Sequence, residues 1–148
     1  MSGLILGKDE HQEIKTRINH LAPNCKSYQK IKNVLENDSK GVYQGKIFVK
    51  DTAQKTDAYQ LSKGLILDEN SEFNAKPELE IYADDVKCSH GSTSGNVDRE
   101  AIYYLMTRGI SEKIATKIII KGFLSDIVSE VQNPEIKKII ENHLEKNI

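Results

Sequence analysis

No run of apolar residues in this 148-residue chain approaches the ~18 that a bilayer-spanning helix needs. The opening segment Met1 to Gly7 is apolar, but it has no basic n-region and no cleavage pattern, so it is not read as a signal peptide. Charge of one sign is missing as well. Lys and Arg number 21 against 22 Asp and Glu, a formal net charge of -1. That balance gives no electrostatic reason to expect nucleic acid or an anionic membrane as partner. Cysteine is scarce: Cys25 and Cys88 are the two in the chain, far apart and without Cys-x-x-Cys spacing. Both are expected to be reduced thiols in a cytoplasmic compartment. The glycine-rich phosphate loops Gly-x-x-x-x-Gly-Lys-Ser/Thr and Gly-x-Gly-x-x-Gly are absent too, so the chain itself is not expected to bind nucleotide.

What is present is a series of short apolar pulses. A hydrophobic content of 38% supports one domain with a core, or a small domain with an appendage. Up to about His90 the pulses alternate with polar breaks: Ile14 to Ile18, Ile31 to Val34, Ile47 to Val49, Leu65 to Leu67, and Leu79 to Ile81. Three of them centre on Phe48, Ile66 and Glu80, recurring after 18 and then 14 residues. That spacing is too short for a strand–helix–strand crossover, and the intervening segments have no helical period. Weaker extended stretches, Val42-Tyr43-Gln44 and Ala58-Tyr59-Gln60, lie between the main pulses. Two strands or so per repeat suits the coils of a parallel β-helix. A small antiparallel sandwich fits the same periodicity, and the residues alone leave both open.

The pattern changes after Gly91-Ser92-Thr93-Ser94-Gly95-Asn96, which reads as a loop of small residues. Asp98 is the N-cap of a first helix with Ile102, Leu105 and Met106 on one face, ended by Gly109. Ser111 caps a second helix in which Ile114, Ala115, Ile118, Ile119, Phe123, Ile127 and Val131 trace a broad apolar stripe, widened by Ile120, Leu124 and Val128. So much apolar surface exceeds what one neighbouring helix covers. Asn133-Pro134 starts a third helix, with Ile136, Ile139, Ile140 and Leu144 as its buried face. The expected organisation is a β core over residues 1–96 and a C-terminal helical module over 97–148.

The segment Pro77 to Gly91 carries the most chemistry. Leu79, Ile81 and Ala83 alternate with Glu80, Tyr82 and Asp84, as in a half-buried strand. Extended backbone past Val86 puts Cys88 and His90 on one face, a soft two-ligand patch. Zinc and iron–sulfur centres take about four ligands, so the remainder has to come from elsewhere, and a second chain is one source. The alternative is a buried thiol at a strand end beside a surface imidazole. A nucleophile–base pair needs a third orienting group and an oxyanion hole, for which no motif is present. Asp84 and Asp85 point to opposite faces and cannot act as a carboxylate pair. His11, His20, Glu10, Glu13 and Arg17 form a metal cluster only if strands gather them; surface ladder positions are the other reading. Cys25, after the turn signal Pro23-Asn24, is a half-buried structural thiol.

Several long motifs resemble the SufB/SufD family of iron–sulfur cluster assembly scaffolds. They are Thr16-Arg17-Ile18-Asn19-His20-Leu21-Ala22-Pro23, Gly41-Val42-Tyr43-Gln44-Gly45-Lys46-Ile47, Ala53-Gln54-Lys55-Thr56-Asp57-Ala58-Tyr59-Gln60, Leu79 through Gly91, and Gly109-Ile110-Ser111-Glu112. Ser89 stands where SufB-like chains tend to have Glu, which makes the resemblance SufD-like. Asn19 departs from an Asp frequent in the family. Members are usually much longer, and the chain looks like their C-terminal part. It would then start partway into the coil stack, with Leu4-Ile5-Leu6 either pairing with another chain or following a lost segment.

The resemblance implies a right-handed parallel β-helix followed by helices, and a scaffold rather than an enzyme. It implies a SufB-like partner paired through the strand of Leu79, Ile81 and Tyr82, with Cys88 and His90 completed across the seam to hold a transient iron–sulfur cluster. A SufC-like ATPase would dock on the second helix through Ile114, Ile118, Phe123 and Ile127. A truncated paralogue that self-associates as a homodimer, without a cluster role, is the alternative from another class. A small Cys–His enzyme is a third.

Overall fold

The computed structural model describes residues 1–148, and the chain divides into two compact units, Met1–Ser94 and Gly95–Ile148. The first unit holds seven strands: β1 (Ser2–Lys8), β2 (His11–His20), β3 (Lys26–Glu36), β4 (Lys40–Val49), β5 (Thr56–Ile66), β6 (Glu72–Ile81) and β7 (Val86–Asn96), the last ending just past the unit boundary. They form two parallel sheets in the orders β1-β3-β5-β7 and β2-β4-β6. Each strand therefore pairs with the strand two along, and the chain winds as a β solenoid of about three turns. Ser2 pairs with Lys30, His11 with Lys40, Lys26 with Asp57 and Lys40 with Glu72. The pulses read from the sequence fall on β2 to β6. Val42-Tyr43-Gln44 and Ala58-Tyr59-Gln60 are not separate strands; they are the opening halves of β4 and β5.

Alternation sorts every strand into an inward and an outward row. In β4 the inward row is Gly41, Tyr43, Gly45, Ile47 and Val49, all buried. Its lower end joins an apolar cluster of Ile47, Val49, Ala53, Ala58 and Ala83. The middle of the solenoid is polar instead. Thr16 and the Tyr43 hydroxyl are 3.2 Å apart, and that hydroxyl donates to Gln29 Oε1 at 3.4 Å. Gln29 Nε2 donates to Gln60 Oε1 at 3.5 Å, and Gln60 Nε2 donates to the Gly45 carbonyl at 3.2 Å. Burial pushes the Tyr43 phenol above its ordinary pKa. Polar atoms withdrawn from water are costly unless paired, so this chain of bonds fixes which coil sits on which. Asn33 is the exception: both of its side-chain polar atoms are buried without a partner.

Corners between strands need backbone that turns sharply. Asp9, Asn24, Asn37 and Asp38 adopt positive φ, as does Lys55. Short polar residues tolerate that conformation best. At the Asn24 corner the amide donates to the Gln54 carbonyl of the next coil. Outside, register partners such as Lys8–Glu36 and Lys40–Glu72 form coil-to-coil ion pairs, exposed enough to contribute little each.

Two expectations are corrected in this unit. Residues 91–96 are not a loop but the second half of β7, held to β5 by pairing and by the Ser62 hydroxyl donating to Ser92 Oγ at 3.0 Å. Apart from Thr93, these small residues have low strand propensity and are extended because a neighbouring ladder holds them. The strand of Leu79 does not run through Val86 either: β6 stops at Ile81, and Tyr82–Asp85 turn the corner into β7.

The second unit contains α1 (Arg99–Thr107), α2 (Glu112–Ser129) and α3 (Pro134–Asn147). Asp98 accepts from the amides of Glu100 and Ala101, and Asn133 from those of Glu135 and Ile136, ahead of Pro134 at the helix start. Ser111 holds the N-cap position of α2 without a side-chain cap bond. Gly109, at φ 85°, ends α1. On α2 the buried residues are Ala115, Ile120, Leu124, Ile127 and Val128. The buried face thus centres on residues read as the margin of the stripe, whereas Ile114 and Ile118 lie exposed. Met106 on α1 and Ile136 and Ile139 on α3 are likewise exposed, against expectation, and Leu144 is the buried residue of α3. A helix of such uniform apolarity has no strongly preferred face, so pattern alone does not orient it.

Gly64 shows how closely the coils are packed. A Cβ there would stand 2.6 Å from Cγ of Phe73 on the facing strand. Gly64→Ala is expected to lower unfolding stability by about 1–3 kcal/mol in urea titration, because the Phe73 ring must leave its place. An unchanged midpoint would contradict that packing.

Candidate functional site at the last coil

The polar row of β7 begins where the apolar cluster ends. Val86 and Cys88 pack against Ile47, Val49, Ala53, Ala58 and Ala83, together with Leu79. Beyond Cys88 the same side of the strand continues with His90 and then Ser92, whose partner Ser62 is itself an inward residue of β5. Cys88 and His90 therefore share a face, as extended geometry requires. Lys87 lies exposed on the opposite face. Cys88 is half-buried, and His90 is exposed.

β7 is the final strand of its sheet and β6 the final strand of the other. The last coil thus presents two unlike walls. The inward row of β6 is apolar, with Phe73, Ala75, Pro77, Leu79 and Ile81, whereas that of β7 turns polar after Cys88. Leu79 is half-buried against the core cluster, Ile81 is 37% exposed and Tyr82 is 60% exposed. Tyr82 stands at the corner: its amide donates to the Val49 carbonyl at 2.9 Å, its hydroxyl donates to Glu80 at 2.8 Å, and its ring tilts against Phe48. Lys46 and the Tyr82 hydroxyl together hold the Glu80 carboxyl below its usual range.

The electrostatics of Cys88 favour the thiol. Withdrawal from water pushes its pKa up, and the Asp57 carboxylate adds to the shift, opposed by a hydrogen bond from the Ala58 backbone. Lys87 does not activate it. No group of three or more His, Cys, Asp or Glu side chains is gathered anywhere in the chain. Two ligands without a third do not enclose an ion.

The other candidates are separated. His11 and His20 sit at opposite ends of β2, so they form no cluster. His20 is not a surface ladder residue: it is 4% exposed, with Nε2 2.9 Å from Ser27 Oγ, and burial lowers its pKa. Asp84 and Asp85 lie in the corner, where the Asp85 amide donates to the Gln54 side chain. Of the residues assigned to a docking surface on α2, Ile114 and Ile118 are exposed, Phe123 is half-buried and Ile127 is 6% exposed. Ile127 therefore serves the packing of this chain. The interior glutamines were not singled out by sequence reasoning. The signal available was the repeated Tyr-Gln pair at Tyr28-Gln29 and Tyr59-Gln60, which the register stacks coil on coil.

The fold is a parallel β solenoid whose last strand carries Cys88 and His90 on one face. The comparison with known proteins makes this specific. A profile described as "SUF system FeS cluster assembly, SufBD core domain" matches residues 1–123. The chain belongs to the SufBD family. It is 37% identical over 131 residues to the iron-sulfur cluster assembly protein SufD of Escherichia coli, covering 88% of this chain and 31% of that protein. It is 35% identical over 123 residues to a SufBD family protein of Synechocystis, covering 83% of this chain and 26% of that protein. The SufD of Bacillus subtilis is 31% identical over 146 residues, covering 98% and 33%. The chain spans about a third or less of the length of these relatives.

In a Cys25→Ser variant, where Cys88 is the sole thiol, alkylation by iodoacetamide is expected to rise with pH along a curve whose midpoint lies above the ordinary thiol value. The reactive thiolate is then a smaller fraction at pH 7 than in an ordinary thiol. A midpoint at or below the ordinary value would contradict the burial of Cys88.

Proposed function

We propose that the chain works as a SufD-like scaffold segment in iron–sulfur cluster assembly, contributing ligands and surfaces rather than catalysing a reaction. The observation that carries the reading is the position of Cys88 and His90. They share one face of the last strand of a sheet, inside the region matched by the SufBD core domain, and no third ligand accompanies them. A soft thiol and an imidazole suit iron and sulfide, and an open strand edge suits a partner that supplies the remaining ligands. The proposed partner is a SufB-like subunit, paired at the β6–β7 end where Leu79, Ile81 and Tyr82 border the site. The cluster is cargo shared across that seam. His90 is the stronger ligand of the pair, because a neutral imidazole needs no deprotonation and its side chain is exposed, whereas the Cys88 thiol has to lose a proton to bind.

A SufC-like ATPase is the second proposed partner, docking on Ile114 and Ile118, which stand one turn apart on α2 and are 54% and 42% exposed. The compartment proposed is a reducing one, the cytoplasm, consistent with two free thiols; no helix is long and apolar enough to cross a membrane. The self-associating paralogue is the reading that remains if no cluster forms.

Two measurements test this. In anaerobic reconstitution with SufB-like and SufC-like partners, His90→Ala is expected to lower the cluster formation rate by about tenfold or more, with normal folding and partner binding. Cys88→Ala should have a smaller or equal effect. Parent rates for both variants would make the pair structural and move the chemistry to the partner. Separately, Ile118→Glu should weaken co-purification with the ATPase by about 2 kcal/mol or more while the β signal in circular dichroism persists. Retained affinity would place the docking surface elsewhere.

A further inference from the structure

The two open edges of the last coil are not equivalent, because the ladder bonds fix which backbone groups each presents. At both ends of β6 an even-numbered amide donates back to β4: Glu72 to the Ser39 carbonyl at 3.0 Å and Tyr82 to the Val49 carbonyl at 2.9 Å. The register between them is unbroken, from Lys40–Glu72 to Val49–Ile81. Successive residues of a parallel strand turn their N–H and C=O groups to opposite neighbours. Odd-numbered Phe73, Ala75, Pro77, Leu79 and Ile81 therefore face the free edge. Pro77, paired with Gly45, stands in the middle of that row, where its missing N–H costs the β4 ladder nothing.

On β5 the odd-numbered amides serve β3: Asp57 donates to the Cys25 carbonyl and Leu67 to the Leu35 carbonyl, with continuous register between. Even-numbered residues of β5 thus turn their backbone to β7. In a parallel ladder a residue that faces its neighbour pairs with one that faces away, and the two carry side chains on the same side. Lys40 shows the rule: its partner Glu72 bonds β4, while its own amide donates to the Glu10 carbonyl on the β2 side. On β7 the side-chain mates of the even β5 residues include Cys88, packed in the cluster with Ala58, and Ser92, bonded to Ser62. Gly91 lies on the opposite side, where a Cβ would meet Leu61 and Tyr59. Cys88, His90, Ser92 and Ser94 therefore point their own N–H and C=O groups at the free edge. No proline interrupts β7, and Lys87 is its one lysine or acid, whereas β6 carries Glu72, Lys76, Glu78 and Glu80 beside its proline. Prolines and charges are the means by which sheet edges refuse a further strand.

We propose that Pro77 is a specificity-determining residue: it bars strand addition on β6 and leaves β7 as the edge to which an extended segment of the SufB-like subunit adds, bonded to the backbone of Cys88 and His90 themselves. This rests on the partner reading above. A strand added there carries its side chains onto the Cys–His face at the ladder spacing of about 5 Å, where the missing ligands are needed. β6 contributes side chains to the seam and no ladder.

Two measurements on the full chain test this separately. In sedimentation velocity, Pro77→Val, which restores the N–H, is expected to self-associate at a concentration lower than wild type by about tenfold or more. Adding Ala75→Pro, which opens a gap in the same row, should reverse the change. Wild-type sedimentation of folded Pro77→Val, or association that persists with Ala75→Pro, overturns the guard. In residue-resolved hydrogen exchange with the SufB-like partner, the amides of Cys88, His90 and Ser92 are expected to slow by about a hundredfold or more. Those of Ala75 and Leu79 should keep their free-chain rates. Protection of Ala75 and Leu79, or none on β7 in a bound chain, overturns the proposal. Should Pro77→Val not fold, exchange decides alone. A partner that does not bind sinks the functional reading instead, and sedimentation then decides the guard.

Discussion

Coil-on-coil parallel pairing is the constraint from which the rest of the first unit follows. Because Ser2 pairs with Lys30 and Lys26 with Asp57, residues about one coil apart share a face and a depth. Side chains stack in columns along the solenoid, and each column must be compatible with itself. A slip of one residue would turn every inward row outward. The buried bonds among Gln29, Tyr43 and Gln60 oppose such a slip, since each would be left unpaired in a dry interior. The same columns carry a feature of one coil to the next, which is how the Gln29 amide on β3 comes to bond the Gln60 amide on β5.

The last coil differs from those behind it in having no strand beyond β6 and β7. Its apolar wall continues the core through Leu79, while its polar wall begins at Cys88. An edge of this kind offers unpaired backbone groups beside side chains of defined chemistry, the combination that strand addition uses. Burial raises the Cys88 pKa, whereas His90 lies exposed on the same face.

Much of this was legible in the residues. Alternation at Ile47 to Val49 and Leu79 to Ile81 marks strands because one face of each is buried, and the shared side of Cys88 and His90 follows from the same period. The strand from Gly91 to Asn96 was not legible: in Gly-Ser-Thr-Ser-Gly only Thr93 favours extended backbone, and pairing with β5 holds the rest. The buried face of α2 was not legible for the opposite reason. Ile114, Ile118, Ile119, Ile120 and Leu124 leave almost no polar side to define an apolar one, so tertiary packing chose Ile120 and Leu124. His20 sits in an alternating row that permits either exposure or burial, and its hydrogen bond to Ser27 decided the matter.

The central claim is that His90 reaches iron in a site completed by a partner. It is tested most directly by pulsed electron paramagnetic resonance on a reduced, cluster-loaded complex in which this chain alone carries 15N-labelled histidine. The account predicts a 15N hyperfine coupling of the size expected for a ligated imidazole, abolished by His90→Ala. A loaded cluster with no 15N coupling from this chain would contradict it.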